Sequence, residues 1–426
     1  MKILLDTVGC RLNQSEIESM ARQFRSAGHE IVADLSEADL VVINTCTVTA
    51  QAASDSRQKA RTAARQGVQD IVLTGCWVTL EPEKARALPD VRKIIPNNRK
   101  VELVRDILGL SVTDLEKTES LRKPLPGQHK RTRAFIKAQD GCDNHCTYCV
   151  TRLARGRGSS RCCEDVLMDI RSALAGGTKE IVLTGVHLGS WGQDKDGREG
   201  YLEDLILTIL AETDVPRLRL SSLEPWDLDV EFFSLWQDDR MCRHLHLPLQ
   251  SGSPGILRRM GRKTTPEVFS NLIWNARKLI PDVAITTDLI VGFPGETEIE
   301  FTETFKLIQE LNFSGGHVFT FSARPGTPAA LMQDQIPFDV RKCRNAQLRA
   351  VLSKTGLAYA ERFLGKTLDV LWESSSCTKD GLWQLKGHAD NNLDVRAHSS
   401  NSHWNQIDHV ELKLLEGKAL WGEIYS

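Results

Sequence analysis

The 426-residue sequence lacks any apolar run of about 18 residues, the length that a membrane-spanning helix requires. Its first residues, MKILLDTVGC, also lack the unbroken apolar stretch of a secretory signal peptide, because Asp6 and Gly9 interrupt it. The 11 cysteines are an odd number, which is atypical of a secreted disulfide framework. We therefore expect a cytoplasmic protein with no membrane partner, whose clustered cysteines bind metal or take part in catalysis.

The chain also lacks a large net charge, since its 54 Lys and Arg residues nearly balance its 56 Asp and Glu residues. The resulting charge of −2 does not indicate a nucleic-acid-binding protein, although a bulk value hides local clusters. Hydrophobic residues make up 41% of the chain and charged residues 26%, which is typical of a globular rather than a disordered protein. The length favours two or three domains.

The first hundred residues alternate short apolar runs with longer amphipathic stretches, which predicts a parallel sheet flanked by helices. The predicted strands and helices, in chain order, are Lys2–Val8, Gln14–Ala27, Asp39–Asn44, Ala50–Gln66 and Asp70–Thr74. The three strands end in TVGC, INTC and LTGC, so Cys10, Cys46 and Cys76 each follow a strand. Open α/β sheets bind ligands at that edge, and we expect the three cysteines to converge there. The alternative for each lone cysteine is simple burial.

Residues 111–130 lack periodicity and contain two prolines, which predicts a linker. A second alternating array follows, with six strands and intervening helices over some 190 residues, fewer than the eight units of a full barrel. We predict an open, partial (β/α)6 barrel. Its strands are expected at Arg133–Gln139, Glu180–Gly185, Arg217–Ser222, His244–Leu249, Val283–Val291 and His317–Phe321, and its clearest helices at Glu164–Ala175, Pro266–Ile280 and Glu298–Leu311.

After a basic helical stretch at Val340–Phe363, the pattern changes to five short strands in about 60 residues, which indicates a small all-β barrel. The fold class is therefore α/β in the first two parts, with a C-terminal β-barrel. We expect domains at residues 1–112, 128–360 and 361–426.

The most specific motif for chemistry is the CxxxCxxC of Cys142, Cys146 and Cys149, on the loop after the first barrel strand. Three thiolates at this spacing suit three irons of a 4Fe-4S cube and leave the fourth iron free to bind a substrate. The alternative is a zinc site completed by His145 or a remote cysteine.

The segment KAQDGCDNHCTYC resembles the cluster loop of radical S-adenosylmethionine enzymes, including the aromatic Tyr148 before the last cysteine. That resemblance implies that the open iron chelates S-adenosylmethionine and that an electron from the reduced cluster cleaves it to a 5′-deoxyadenosyl radical.

The upstream segments GCRLNQSE, INTCTVT and LTGC narrow the resemblance to the methylthiotransferase family. It implies a second 4Fe-4S cluster at Cys10, Cys46 and Cys76 that handles the inserted sulfur, a sulfur source, and an electron donor such as flavodoxin or ferredoxin. The segments RLRLSSLEP, HLHLPLQSG and AITTDLIVGFPGET resemble the branch that acts on threonylcarbamoyladenosine in tRNA. Isopentenyladenosine in tRNA and an Asp of a ribosomal protein are alternative substrates, and a zinc or RNA-binding protein without activity is the alternative outside enzymes.

Two further groups are predicted to hold the cofactor. Gly292 and Gly295, in GFPGET, follow a β-branched strand and let the backbone approach a ligand, and the resemblance makes that ligand S-adenosylmethionine. Glu224 lies past another strand end, where its carboxylate can accept hydrogen bonds from the cofactor. A plain turn and a helix cap are the respective alternatives. His244 and His246, on one strand face, are interpreted as structural.

Charge is locally uneven, with ten Lys and Arg against two Asp and Glu between residues 121 and 161. A basic strip beside the cysteine loop suits a polyanionic substrate, whereas a solvated surface is the alternative. The predicted RNA-binding residues are Arg152, Arg155, Arg157 and Arg161, and Arg258, Arg259, Arg262 and Lys263 are expected to extend this surface. The C-terminal barrel, from residue 364, has only six Lys and Arg against nine Asp and Glu.

Overall fold

The structure is a computed structural model that describes residues 1–110, 123, 132–195 and 200–425. The predicted linker at 111–130 lies outside these residues, apart from position 123. The chain falls into two compact units. The first contains Met1–Asn144, Cys149–Thr178 and Thr184–Val186, and the second His145–Tyr148, Lys179–Leu183 and His187–Ser426. No helix in the described ranges combines the length and the apolar character needed to cross a membrane.

The first unit begins with a five-stranded parallel sheet in the order β2-β1-β3-β4-β5. Its strands are β1 (Lys2–Thr7), β2 (Glu30–Val32), β3 (Leu40–Thr45), β4 (Ile71–Gly75) and β5 (Val91–Ile95). The helices beside them are α1 (Arg11–Ser26), α2 (Ala50–Arg65), α3 (Cys76–Leu80), α4 (Pro82–Arg86) and α5 (Leu103–Leu108). This order is that of a doubly wound sheet, which places ligands at the carboxyl ends of its strands.

Apolar residues on both faces of this sheet explain why it folds. Every residue of β3 is buried, as expected for a central parallel strand. The apolar side of α1 packs on one face through Ile17, Met20 and Phe24, which are at most 4% exposed. The alanines of α2 pack on the other face, and Thr49 caps that helix by accepting a hydrogen bond from the Ala52 amide. The predicted N-terminal α/β domain is confirmed.

The second array of strands and helices spans residues 133–320. Its strands are β6 (Arg133–Lys137), β7 (Gln139–Asp140), β8 (Ser159–Ser160), β9 (Glu180–Thr184), β10 (Leu218–Leu220), β11 (His244–His246), β12 (Ala284–Val291) and β13 (Gly315–Thr320). Its helices are α6 (Thr151–Arg155), α7 (Cys163–Ala175), α8 (Leu202–Glu212), α9 (Pro254–Met260), α10 (Pro266–Leu279) and α11 (Glu298–Leu311).

Parallel pairing links β9 to β10, β11 to β12 and β12 to β13. A parallel bridge between Ser222 and His246 joins the two groups. In the first unit, the Ala138 amide just past β6 donates to the carbonyl of Thr184 at the end of β9. The parallel strands β9 to β13 therefore succeed one another in chain order, and the predicted partial barrel is confirmed.

The chain ends in α12 (Phe338–Glu361) and a closed five-stranded barrel in the order β14-β15-β16-β18-β17. Its strands are β14 (Thr367–Cys377), β15 (Trp383–Ala389), β16 (Asp394–Ser399), β17 (Ile407–Glu416) and β18 (Ala419–Tyr425). Phe363 and Trp372, both fully buried, lie in its core. The predicted small all-β barrel is confirmed.

Within the second unit, arginines near the amino ends of β10 and β11 bind the C-terminal barrel. Arg219 donates to the carbonyl of Asp390 at 2.9 Å and forms an ion pair with Glu180 at 2.7 Å. Arg217 donates to the carbonyl of Asp369 at 2.7 Å, and Arg243 pairs with the Asp390 carboxylate at 2.6 Å. The barrel is thus fixed at the strand ends opposite to those where parallel sheets bind ligands.

Candidate metal and cofactor centre

The first cysteine triad forms at the carboxyl edge of the N-terminal sheet. Cys10 lies between β1 and α1, Cys46 follows β3, and Cys76 begins α3 directly after β4. Cys46 and Cys76 are buried, whereas Cys10 is exposed. Burial raises the pKa of the Cys46 thiol to about 11, and the nearby thiols of Cys10 and Cys76 contribute to the rise. The structure therefore brings the three predicted residues together.

Two glycines allow this close approach. Gly9 has a φ of +104°, and a Cβ added there would lie 2.6 Å from the sulfur of Cys46. Gly75 has a φ of +103°, and its added Cβ would overlap the Thr45 carbonyl oxygen. Only glycine satisfies both requirements. The glycine before the cysteine in TVGC and in LTGC is thus part of the triad.

A buried charge network lies beside this triad. Its members, which we call the Glu16 network, are Glu16, Lys100, Lys137, Asp140 and Arg155. Glu16 contacts Arg155 at 2.9 Å and Lys100 at 2.8 Å, while Asp140 also contacts Arg155 at 2.9 Å. The side chains of Glu16 and Arg155 are only 4% and 3% exposed. Three cations against two carboxylates give the network a formal charge of +1.

Electrostatics place the network close to the thiols. Burial lowers the pKa of Arg155, but Glu16 and Asp140, together with Cys76 and Cys10, outweigh burial and leave that pKa raised. The pKa of Glu16 is held well below its usual value, because Lys100 and Arg155 overcome the effect of burial. Arg155 and Glu16 therefore both remain charged at neutral pH.

Two asparagines, Asn97 and Asn13, connect the first cysteine triad to residues of α6. Asn97 donates to the sulfur of Cys76 at 3.5 Å and to the carbonyl of Ala154 in α6 at 2.7 Å. Asn13 accepts a hydrogen bond from Arg155 at 2.6 Å, and its Oδ1 lies 3.7 Å from the sulfur of Cys10. The helix that follows the CxxxCxxC motif is thus tied to the first triad by side-chain hydrogen bonds.

The CxxxCxxC loop directs backbone amides at its sulfurs. In the first unit, the amide of Asn144 donates to the sulfur of Cys142 at 3.4 Å, and the amide of Thr151 donates to the sulfur of Cys149 at 3.4 Å. Hydrogen bonds to thiolate sulfur are a known means of tuning iron–sulfur clusters. The donor set and its amides fit a cube ligated by three cysteines.

In the second unit, the middle of this loop is held by neighbouring backbone. The Thr147 amide donates to the Met260 carbonyl at 2.9 Å, and the Ala329 amide donates to the Thr147 carbonyl at 2.9 Å. Tyr148 packs with Ile290 against an apolar cluster that contains Ile256, Met260, Phe293, Phe321 and Ala329. Tyr148, the aromatic residue of the motif, therefore packs against apolar side chains.

Glu224 has a buried partner that the sequence did not identify. Both of its carboxylate oxygens accept hydrogen bonds from Arg262, at 3.1 and 2.7 Å. Arg262 also stacks over Trp226, with 4.5 Å from its guanidinium carbon to the ring centroid. Burial lowers the pKa of Arg262, but Glu224 outweighs it, with smaller contributions from Tyr148 and Cys146, and leaves the pKa raised. The expectation that Arg262 extends an RNA surface is wrong, because its side chain is 1% exposed.

The GFPGET turn is held by a buried carboxylate. Glu296 accepts a hydrogen bond from the Gly292 amide at 2.8 Å and pairs with Arg344 at 2.6 Å. A Cβ on Gly292 would overlap the side chain of Arg341, whereas a Cβ on Gly295 would meet no atom within 4 Å. The space beside Gly295 is what close approach of a ligand to backbone needs.

A histidine–aspartate group occupies the same face of β12 as Ile290. Asp288 lies 3.4 Å from His246 and 3.3 Å from His317, measured from carboxylate oxygen to ring nitrogen. Burial raises the pKa of Asp288, but hydrogen bonds from both histidines outweigh it and lower the pKa. His244 and His246 both contact the Thr286 hydroxyl, at 3.0 and 2.9 Å, so they lie on one face as predicted.

The four predicted RNA-binding arginines have different surroundings. Arg157 is 87% exposed and lies 3.4 Å from Asp143. Arg161 is 28% exposed and pairs with Asp169, and Arg152 is half-buried on α6. Arg155 belongs instead to the Glu16 network, which corrects its assignment to an RNA-contacting surface. Sequence reasoning could not detect this, because Glu16 lies 139 positions away.

A single zinc ion was the alternative for the CxxxCxxC motif. Among the described residues, no three or more His, Cys, Asp or Glu side chains are grouped to hold one metal ion. Thiolates around one zinc ion, with Zn–S bonds of about 2.3 Å, must lie closer together than thiolates at the corners of a cube. The zinc interpretation therefore gains no support from the geometry.

Comparisons with known proteins agree with the two cysteine motifs. Residues 2–95 match "Uncharacterized protein family UPF0004", and residues 136–308 match "Radical SAM superfamily". The threonylcarbamoyladenosine tRNA methylthiotransferase MtaB of Bacillus subtilis is 36% identical over 411 residues, which cover 92% of this chain and 89% of that protein. The tRNA-2-methylthio-N(6)-dimethylallyladenosine synthase of Staphylococcus haemolyticus is 32% identical over 429 residues, which cover 96% of this chain and 82% of that protein.

Among solved structures, the radical S-adenosylmethionine methyltransferase TsrM of Kitasatospora setae, with tryptophan and a cofactor analogue bound, superposes with a TM-score of 0.58. The match covers 78% of this chain and 75% of that chain at 16% sequence identity. At that identity the likeness shows the fold alone.

Proposed function

Because the chain belongs to the radical S-adenosylmethionine methylthiotransferase family, we propose that it converts N6-threonylcarbamoyladenosine next to the tRNA anticodon to its 2-methylthio derivative. The observation that carries the proposal is the 36% identity with the Bacillus subtilis enzyme over 92% of the chain. The proposed substrate is the one that the name of this relative states.

Cys142, Cys146 and Cys149 are the proposed ligands of the radical cluster. When bound, that 4Fe-4S cluster supplies the electron that cleaves S-adenosylmethionine to a 5′-deoxyadenosyl radical. The amides of Asn144 and Thr151 hold two of the sulfurs in place. A flavodoxin or ferredoxin is the proposed electron donor.

The remaining cofactor contacts come from the strand ends of the second unit. The Glu224 carboxylate is oriented by Arg262 and has lone pairs left to accept from the ribose or the amino group of S-adenosylmethionine. Gly292 and Gly295 present backbone to the nucleoside, and Tyr148 covers it from the loop. Glu296 and Arg344 hold the glycine turn in position.

Cys10, Cys46 and Cys76 are the proposed ligands of a second 4Fe-4S cluster, which would receive sulfur from a separate source. The thiols of Cys10 and Cys76 lie near enough to raise the pKa of Cys46, and Gly9 and Gly75 allow this close approach. A formal charge of +1 in the Glu16 network suits an anionic group of thiolates and sulfide beside it.

The proposed tRNA surface consists of Arg152, Arg157 and Arg161, since Arg155 is buried in the network. Phosphate contacts contribute most of the non-specific affinity for RNA and make it depend on salt. Substituting Arg157 should therefore weaken tRNA binding and flatten the dependence of that binding on salt.

The decisive experiment is mass spectrometry of tRNA nucleosides from cells that lack the gene. Loss of 2-methylthio-threonylcarbamoyladenosine, restored by this chain, supports the proposal. The similarity to dimethylallyladenosine synthases makes loss of 2-methylthio-dimethylallyladenosine the competing outcome. Whichever of the two nucleosides is lost identifies the substrate. If neither nucleoside is lost, both substrate assignments are refuted.

Metal analysis separates the enzyme from a zinc or RNA-binding protein. Anaerobic reconstitution should give about eight irons per chain if both triads hold cubes. Cys46→Ala should lower the content to about four irons and stop sulfur insertion, while S-adenosylmethionine cleavage remains. Stoichiometric zinc without iron would refute the cluster assignments.

A further inference from the structure

Within the first unit, a short path through one helix and one side chain joins Cys149 to Cys76. Cys149 lies two residues before Thr151, the first residue of α6, whose amide donates to the Cys149 sulfur at 3.4 Å. The carbonyl of Ala154, near the other end of α6, accepts from Asn97, which also donates to the Cys76 sulfur. Five helical residues rise about 7.5 Å in total. One short helix and one asparagine side chain therefore connect a ligand of each proposed cluster.

Arg155 ends this helix and makes a second connection. Its Nη2 donates to Asn13 at 2.6 Å, and Asn13 lies next to Cys10. Its Nη1 contacts Glu16 of α1 at 2.9 Å and Asp140 of β7 at 2.9 Å. These contacts fix the guanidinium in one orientation, because a planar fork with several partners has little rotational freedom.

Arg155 is not needed to neutralise the carboxylates beside it. Without Arg155, Glu16 would keep Lys100 at 2.8 Å and Lys137 at 3.4 Å, and Asp140 would keep Lys137 at 3.2 Å. Arg155 therefore supplies positive charge beyond what the two carboxylates require. That excess lies beside Cys76 and Cys10, which are among the groups that raise the pKa of Arg155.

From this arrangement we infer that Asn97 and Arg155 are positioning residues that hold the auxiliary cluster against α6 and raise its reduction potential. The inference rests on the proposed second cluster at Cys10, Cys46 and Cys76. On reduction that cluster gains one electron and one negative charge. A nearby cation and an N–H···S hydrogen bond both stabilise the reduced form, so their removal makes the potential more negative.

The test is a redox titration of the auxiliary cluster alone. Full-length protein carrying Cys142→Ala, Cys146→Ala and Cys149→Ala is reconstituted anaerobically and should retain about four irons. Its midpoint potential is measured by titration with a low-potential reductant, with absorption or electron paramagnetic resonance as the readout. Neither tRNA nor S-adenosylmethionine is present, so the result does not depend on the identity of the substrate.

Three variants are compared in this background. Asn97→Ala and Arg155→Met should each shift the midpoint to a more negative value, while Arg155→Lys, which keeps the charge, should recover most of the second shift. Arg22→Met is the matched control, since Arg22 forms a partly buried ion pair with Asp169 in the same unit. The control should leave the midpoint unchanged, because its charge lies outside the network.

The outcomes separate the inference from a purely structural role. A structural ion pair changes stability but not potential, so midpoints of Asn97→Ala and Arg155→Met equal to that of Arg22→Met, at equal iron content, would overturn the inference. If Arg155→Met binds no cluster, Asn97→Ala decides the matter, since it removes one hydrogen-bond donor and no charge. A background protein without iron would refute the auxiliary cluster itself, and the inference with it.

Discussion

Replacing Arg219 by leucine should weaken the attachment of the C-terminal barrel to strands β9 and β10. The guanidinium is fully buried, forms a double hydrogen bond with Glu180, at 2.7 and 3.1 Å, and donates to the carbonyls of Asp390 and Ala389. Leucine fills part of the volume but removes the cation that the buried Glu180 carboxylate binds at 2.7 Å. Breaking such a pair typically costs about 3–5 kcal/mol. The orphaned Asp390 carbonyl adds about 1 kcal/mol.

Hydrogen exchange at the turn between β15 and β16 gives the most direct readout. The amide of Asn392 donates to the Ala389 carbonyl, and the amide of Ala389 donates to the Leu393 carbonyl. A loss of about 3 kcal/mol should accelerate exchange of these amides by a factor on the order of 100, provided that they exchange through detachment of the barrel. Urea unfolding followed by tryptophan fluorescence, to which buried Trp372 of the barrel contributes, should shift to a lower midpoint.

Two further variants make this prediction refutable. Arg362→Leu breaks an exposed ion pair with Asp282 and should cost at most about 1 kcal/mol. The double variant Glu180→Leu with Arg219→Leu removes both charges and should be more stable than Arg219→Leu alone. A single variant no less stable than Arg362→Leu, or a double variant no more stable than the single, would refute the reasoning.

Three other predictions follow from single contacts. Glu224→Gln should weaken binding of S-adenosylmethionine at least about tenfold in equilibrium dialysis, because a charge-assisted hydrogen bond is typically worth about 1.5–3 kcal/mol; an unchanged Kd contradicts the assignment. Burial raises the pKa of the Cys242 thiol to about 12, so iodoacetamide at pH 9 should label exposed Cys377 but not Cys242. The stability that the neutral Cys242 thiol contributes should be lost as the pH rises from about 8.5, the pKa of a thiol in the unfolded chain, towards the folded-state pKa. Equal labelling would show that Cys242 is accessible. Gly9→Ala should lower the iron content from about eight to about four per chain, since its Cβ would lie 2.6 Å from the Cys46 sulfur, and full retention of iron would contradict that clash.

The fold was largely predictable because its signals are local. Apolar runs such as VVIN and IVLTG report a buried parallel strand by themselves, and observed strand ends lie within one or two residues of the prediction in the N-terminal sheet. The position of the first triad followed from the same signals, since the carboxyl ends of adjacent parallel strands meet at one edge. Among the elements that were missed, β2 has only three residues, and Arg92 and Lys93 interrupt the apolar pattern of β5.

Charge pairing was not predictable, and the reason is distance along the chain. A basic residue in sequence indicates a possible phosphate contact equally well whether it lies at the surface or in the core. Arg155 and Arg262 both looked like surface cations, yet their partners Glu16 and Glu224 lie 139 and 38 positions away. Only the tertiary fold determines which arginines are paired internally and which remain on the surface.

The acidic character of the C-terminal barrel has a structural use that bears on how tRNA would bind. Asp390 accepts two hydrogen bonds from Arg243, and burial, which raises its pKa, is outweighed by Arg243, Arg217 and Arg219, so that the pKa is lowered. Part of the negative charge of the barrel therefore serves to bind arginines at the amino ends of the core strands. Those arginines, in turn, cannot contact phosphate while they are paired there. Electrostatic attraction of tRNA then has to come from cations elsewhere, and exposed Arg157, beside the cysteine loop, is the strongest described candidate for the first substitution.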